Sequence, residues 1–160
     1  MERRSRDREK QRRKEEKAGG FKCLHCKRWI PIHEFMGTAH RNHCPFCGWS
    51  KHVDLERPGD RKSECQGEMK PIGLTFKEEG RDKYGRKKQG EIMLVHQCTR
   101  CGKISINRIA ADDNPAMIEK VFEQSLTLGE NIKRQLKEAG IKLLSEKDRK
   151  EIKIQLYGKL

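Results

Sequence analysis

Six of the seven cysteines fall in three Cys-x-x-Cys pairs: Cys23/Cys26 in "CLHC", Cys44/Cys47 in "CPFC" and Cys98/Cys101 in "CTRC". Two intervening residues let the chain turn tightly enough for both sulfurs to face one ion. Gly48 and Gly102, directly after the second cysteine, supply the positive φ that such a turn requires. The chemistry on offer is tetrahedral metal binding. Cys23, Cys26, Cys44 and Cys47 follow a C-x2-C-x17-C-x2-C pattern, within the spacing of a zinc site.

Cys65, Cys98 and Cys101 remain, one ligand short of four. A histidine completes a Cys3His set, and the candidates are His40, His43, His52 and His96. His52 is the choice, because it lies on the segment crossing from the first set to Cys65. His96 shares a strand face with Cys98 and stands too close to share its ion. The pairing of Cys44/Cys47 with Cys98/Cys101, leaving Cys23/Cys26 with Cys65, stays open at this level. Either arrangement points to two zinc ions per chain.

The composition calls for such a supplement. Phe, Ile, Leu and Val make up 31 of 160 residues, and the net charge is +13. A chain this poor in large apolar groups sits at the border of disorder, and small domains in that position add disulfides or a structural metal. An odd number of cysteines and the absence of any secretory leader favour metal in a reducing cytoplasm. No stretch approaches a membrane span.

These ligands need elements to position them. Residues 1–20 carry nine Lys/Arg and five Asp/Glu and end in "AGG", a flexible basic tail with a glycine hinge. Residues 21–112 hold every cysteine and histidine and form the metal domain. Within it "PIGLTF" and "EIMLVHQC" predict a β-hairpin leading into a Cys-x-x-Cys turn, as in a zinc ribbon. The polar loop between them carries Lys77, Arg81, Lys83, Arg86, Lys87 and Lys88. Residues 113–160 predict helices. Asn114 caps the first, Pro115 takes its first position, and Ile118, Val121, Phe122 and Leu126 mark an apolar stripe. Leu128, Ile132, Leu136 and Ala139 extend that stripe past Gly129 to a stop at Gly140. Ser145 with Asp148 forms a capping box for a last helix through Leu156. The expected fold is a small α+β protein: a zinc-ribbon-like metal domain, C-terminal helices and a basic N-terminal tail.

"RNHCPFCGWSKHVD" at 41–54, "PGDR" at 58–61, "CQGEMKPIGL" at 65–74, "HQCTRCG" at 96–102 and "NRIAADDN" at 107–114 together resemble the bacterial RNHCP domain. That family takes its name from the residues found here as Arg41, Asn42, His43, Cys44 and Pro45. The resemblance covers roughly residues 21–114 and implies a cysteine-rich, zinc-ribbon-like bacterial domain. It implies no particular activity.

The charge points to nucleic acid, above all structured RNA or a ribosomal particle, rather than a membrane. Cations on a tail and a loop neutralise phosphates and release counterions. The candidate contacts are Arg3, Arg4, Arg12 and Arg13 in the tail, Arg41, and Lys83, Arg86, Lys87 and Lys88 in the loop; Trp49 and Tyr84 offer stacking surfaces. An alternative is a metal-dependent nuclease of the His-Asn-His type, built on "HRNH" with Asp112, Asp113 and Asn114 as oxygen ligands. Against it, "NRIAADDNP" also reads as a helix-start turn with capping carboxylates. A rubredoxin-like iron protein would use the same thiolate tetrahedra. No Gly-rich phosphate loop or serine-nucleophile motif is present, and the balance leans away from an enzyme.

Overall fold

The computed structural model describes residues 19–32, 43–52 and 63–158, and in the tail only the exposed helical positions 6, 7, 9, 10 and 14. Arg3, Arg4, Arg12, Arg13, His40 and Arg41 lie outside the described residues.

The chain is a small α+β fold of antiparallel sheets followed by helices. Strands β1 (Gly20–Lys22) and β2 (Trp29–Pro31) form a two-stranded ribbon. Strands β3 (Ser50–Lys51), β4 (Glu68–Phe76), β5 (Ile92–Cys98) and β6 (Ile104–Arg108) form a four-stranded sheet in that order. The expected hairpin is β4–β5. Strand β6 escapes a pattern reading because none of its side chains is fully buried. It is an edge strand held by its ladder to β5, with Ile104 packed against the Ile72–Val95–Leu136 core.

β5 is buried on both faces, since consecutive Leu94 and Val95 are both fully enclosed and point to opposite sides. On one side Leu74 and Leu94 pack with Met117, Ile118, Val121 and Phe122 of α1 (Pro115–Ser125) and with Ile152 of α3 (Arg149–Tyr157). On the other, Ile72 and Val95 pack with Leu136 of α2 (Glu130–Glu138). The register shift between Pro71 and Gly73 leaves Ile72 in a bulge, which lets it join Val95.

This division corrects the reading of one stripe running past Gly129. The helix stops at Ser125 and restarts at Glu130, with Gly129 extended between them at φ −66° and ψ 157°. Leu128, Ile132 and Leu136 belong to a different core from Ile118 and Phe122, so a continuous helix would have turned one set away from the sheet.

The termini of the helices follow the local chemistry expected of them. Asn114 accepts from the Ala116 amide at 2.9 Å, with Pro115 at the first turn. Gly140 sits at φ 74°, and the pair Gly140 N–H to Lys137 O and Ile141 N–H to Leu136 O closes α2 in a Schellman motif. The Ser145/Asp148 capping box is present, starting a short 3-10 turn (Glu146–Asp148) that runs into α3.

Candidate metal centres

The three Cys-x-x-Cys turns are built alike. The amide of each first cysteine donates to a carbonyl five residues on: Cys23 to Arg28, Cys44 to Trp49 and Cys98 to Lys103, at 2.8–2.9 Å. Its carbonyl accepts from the amide four residues on, that of Lys27, Gly48 or Gly102. Those three residues have φ values of 67°, 80° and 80°. Two are the expected glycines. The third is Lys27, a side chain in the left-handed region, whose ammonium donates to the Leu24 carbonyl across its own turn at 2.6 Å. The signal for it was the common spacing, which puts Lys27 where the other turns have glycine.

The turns bring the ligand candidates together in two fours. Cys23, Cys26, Cys44 and Cys47 form one cluster; His52, Cys65, Cys98 and Cys101 form the other, with all donor atoms of each within 4.8 Å of one another. The alternative pairing of the cysteine turns is not the one formed. None of the seven cysteines is in a disulfide.

The spacing within each cluster suits an ion at its centre. A tetrahedron with metal–sulfur bonds of about 2.3 Å has edges of about 3.8 Å, and about 3.5 Å where a nitrogen replaces one sulfur. Cys23–Cys47 sulfurs are 3.7 Å apart and Cys26–Cys44 3.6 Å. In the second cluster Cys65–Cys98 is 3.6 Å, and His52 Nδ1 lies 3.3 Å from Cys101 Sγ. The chain is a metal-binding module.

The second cluster lacks a second cysteine turn. Its other arm is a pair of segments held by His52 N–H to Gly67 O (2.8 Å) and Gln66 N–H to His52 O (3.1 Å). Gly67 lies so close that an added Cβ would stand 2.9 Å from Cys98 Sγ and 3.4 Å from Cys65 Sγ. The sequence reading missed this requirement, although the glycine two places after Cys65 was visible.

Each cluster holds one thiol predisposed to ionise. Cys44 is lowered to about 5, first by a hydrogen bond from Cys47 and then by the Cys47 and Phe46 amides. At Cys98 burial opposes ionisation, but the amides of Cys101 and Arg100 outweigh it and lower the thiol. Cys47 is pushed up, because Cys44 keeps the charge of the shared hydrogen bond. Burial likewise raises Cys23 and Cys65.

Two further histidines, His43 and His96, are buried in the frame. His43 is buried and its Nε2 lies 2.6 Å from Asp113 Oδ2, which also accepts from the Ala110 amide. His96 is fully buried, with Nε2 2.6 Å from Gly48 O and Nδ1 2.8 Å from Asn107 Nδ2. Burial, with His43 nearby, lowers His96 to about 3. His43 and Asp113 are thus enclosed on each other while Asn114 caps α1, which speaks against the nuclease reading.

A model described as the RNHCP domain matches residues 18–119, more than half of the chain. The chain belongs to the RNHCP domain family. Comparison with curated proteins and with solved structures gives no match. Both clusters of this RNHCP domain and the buried His43–Asp113 pair fall inside the matched residues. No helix among the described residues is long and apolar enough to cross a membrane.

The expected cationic contacts Lys83, Arg86, Lys87 and Lys88 stand on the β4–β5 loop, all exposed. The loop is a small hairpin of its own: Arg81 bridges Lys87, and Lys88 N–H donates to Gly80 O. The Asp82 carboxylate accepts from the Tyr84 and Arg86 amides at 2.9 Å each and fixes the tip. At the neck, Gly90 passes so close to Lys77 that a Cβ would meet its carbonyl oxygen. Gln155 of α3 braces that neck through the Ile92 amide and the Gly90 carbonyl.

Proposed function

We propose that this RNHCP domain is a structural zinc module that binds RNA, as structured RNA or within a ribosomal particle. The donor set supports zinc: thiolates and one imidazole, with no carboxylate in either cluster. Zinc would supply a four-point crosslink at each site. Cys23, Cys26, Cys44 and Cys47 would hold one ion, and His52, Cys65, Cys98 and Cys101 the other. Four protein ligands per ion leave no open position for a reacting group, the mark of a structural site.

The observation that carries the RNA reading is the β4–β5 loop. From Lys77 to Lys88 it carries six cations against three carboxylates. One of those carboxylates, Asp82, is engaged in shaping the tip. The tip presents Tyr84, 68% exposed, with Lys83 Nζ 5.0 Å and the Arg86 guanidinium 5.2 Å from its ring centroid. An exposed ring flanked by cations suits a sugar–phosphate backbone and its bases. The neck of the loop is braced from α3 through Gln155. Arg3, Arg4, Arg12, Arg13 and Arg41 add to the positive charge of the chain.

Co-sedimentation of the zinc-loaded chain with ribosomal particles and with bulk RNA across a salt series tests this. Wild type should travel with RNA at low salt. A variant with Lys83, Arg86, Lys87 and Lys88 changed to Gln should bind more weakly, with a salt slope shallower by about 3. Protein that stays at the top of the gradient at low salt overturns the RNA reading. A red, iron-loaded protein would replace zinc with the rubredoxin-like alternative.

A further inference from the structure

Six large apolar side chains stand exposed among the described residues, and four of them, Leu24, Trp29, Ile32 and Phe46, come from the two segments that build the first cluster. Leu24 and Phe46 occupy the tips of its cysteine turns, where the thiols face inward and the intervening residues face out. Trp29 follows the first turn on β2, opposite Lys22 of β1, with its ring edge lying against Gly20. None of these side chains supports the core: Ile30 and Phe21 fill that role for the ribbon.

The charge carried by these two segments has one sign. Residues 19–32 and 43–52 contain Lys22, Lys27, Arg28 and Lys51 and no carboxylate at all. The Arg28 guanidinium lies 4.9 Å from the centroid of the Phe46 ring. On the same cluster His25 stacks on Trp49, centroids 3.8 Å apart and rings within 2° of parallel. Glu68 of β4 lies 3.8 Å from His25 Nδ1. A face that keeps flat rings in water while surrounding them with cations suits a ligand that is both planar and polyanionic.

We infer that the first cluster presents a stacking site for the unpaired bases of RNA, with Phe46 and Trp29 as base platforms and Lys22, Lys27 and Arg28 as phosphate contacts. This deepens the RNA reading above and rests on it. A base inserted in a duplex offers no free face to such rings, so the site selects single-stranded segments. The β4–β5 loop, by contrast, carries charge that either form can use. Paired with the loop, the cluster turns general phosphate affinity into a preference for loops, bulges or ends.

Fluorescence anisotropy of the full zinc-loaded chain tests this with a labelled 12-nucleotide single strand and a duplex of the same sequence. The single strand should bind more tightly than the duplex and should quench the tryptophan emission. Phe46→Leu and Trp29→Ala should each weaken single-strand binding about tenfold, leaving duplex affinity and salt slope unchanged. Phe46→Leu keeps an apolar side chain at an exposed position, and unchanged zinc content and thermal midpoint verify its fold. The four-Gln loop variant should weaken both forms alike. Equal binding of strand and duplex, or no effect of either aromatic substitution, overturns the stacking site and leaves the RNA reading standing. Loss of binding to both forms at low salt in the wild type overturns the RNA reading itself.

Discussion

His43 Nε2 lies 2.6 Å from Asp113 Oδ2, and both side chains are shut away from solvent. The contact ties the residue before Cys44 to the residue before the cap of α1. A parallel backbone bond, Asn114 N–H to Pro45 O at 2.9 Å, crosses the same seam. The first metal cluster is thereby bolted to the helix that covers the sheet.

Removing one side of that bolt strands buried polar groups on the other. Asp113→Ala leaves the His43 ring and the Ala110 amide without their acceptor and should cost about 2–4 kcal/mol in urea unfolding of the metal-loaded protein. His43→Ala should cost a similar amount. The double variant should lose clearly less than the two added together, because the second change removes an already orphaned partner. Additive losses would mean the two side chains act independently.

The clusters differ in exposure. In the first, Cys23 and Cys44 are buried; in the second, Cys101 is exposed. A chelator should therefore draw two metal ions per chain in two phases, with the second cluster emptying first. Full removal should unfold the metal domain, since each structural zinc contributes roughly 10 kcal/mol or more to folding. A Cys101→Ser variant should lose the fast phase. Metal analysis giving one ion, with Cys65, Cys98 and Cys101 all open to a maleimide, would remove the second site.

Gly48 and Gly102 share φ 80°, yet their surroundings differ. Nothing lies within 4 Å of a Cβ at Gly102, whereas one at Gly48 would stand 2.7 Å from Met117 Sδ. Gly102→Ala should thus carry only the left-handed penalty, about 1–2 kcal/mol. Gly48→Ala should exceed it, because the buried Met117 side chain must also move aside. Equal losses in thermal or urea melts would show that the contact with Met117 is relieved freely.

His96 uses Nε2 toward the Gly48 carbonyl and Nδ1 toward the Asn107 amide, one nitrogen donating and one accepting. That pairing requires the neutral ring, and burial lowers its pKa to about 3. The unfolded ring takes up a proton near pH 6.5 and the folded ring does not. This contribution to stability is therefore complete above about pH 6.5 and is lost as pH falls from there toward about 3. Ring nitrogen shifts at pH 5 should report a neutral Nε2–H tautomer. A charged ring at that pH in the folded protein would contradict the assignment.

Much of this molecule was legible wherever its hydrogen bonds close over a few residues. Each cysteine turn is completed between its first cysteine and the residue five places on, so its spacing announces it, with a glycine besides in two of the three. The Asn114 cap, the Gly140 stop and the Ser145/Asp148 box are local in the same way. The sum of seven thiols and one histidine likewise marked two sets of four before any fold was known.

What lay beyond the sequence were the choices between equally good partners far along the chain. Which cysteine turns share an ion depends on how the β1–β2 ribbon meets the β3–β6 sheet. His43 finds Asp113 across 70 positions and His96 finds Gly48 across 48, and a shift of one residue in strand register would turn either ring away. Lys27 in a glycine's conformation, and the break at Gly129 that sends α1 and α2 to opposite faces, were decided by closure of the whole. Local spacing sets what a turn can bind; only packing of distant segments fixes which turns meet, because that energy resides in contacts no short window contains.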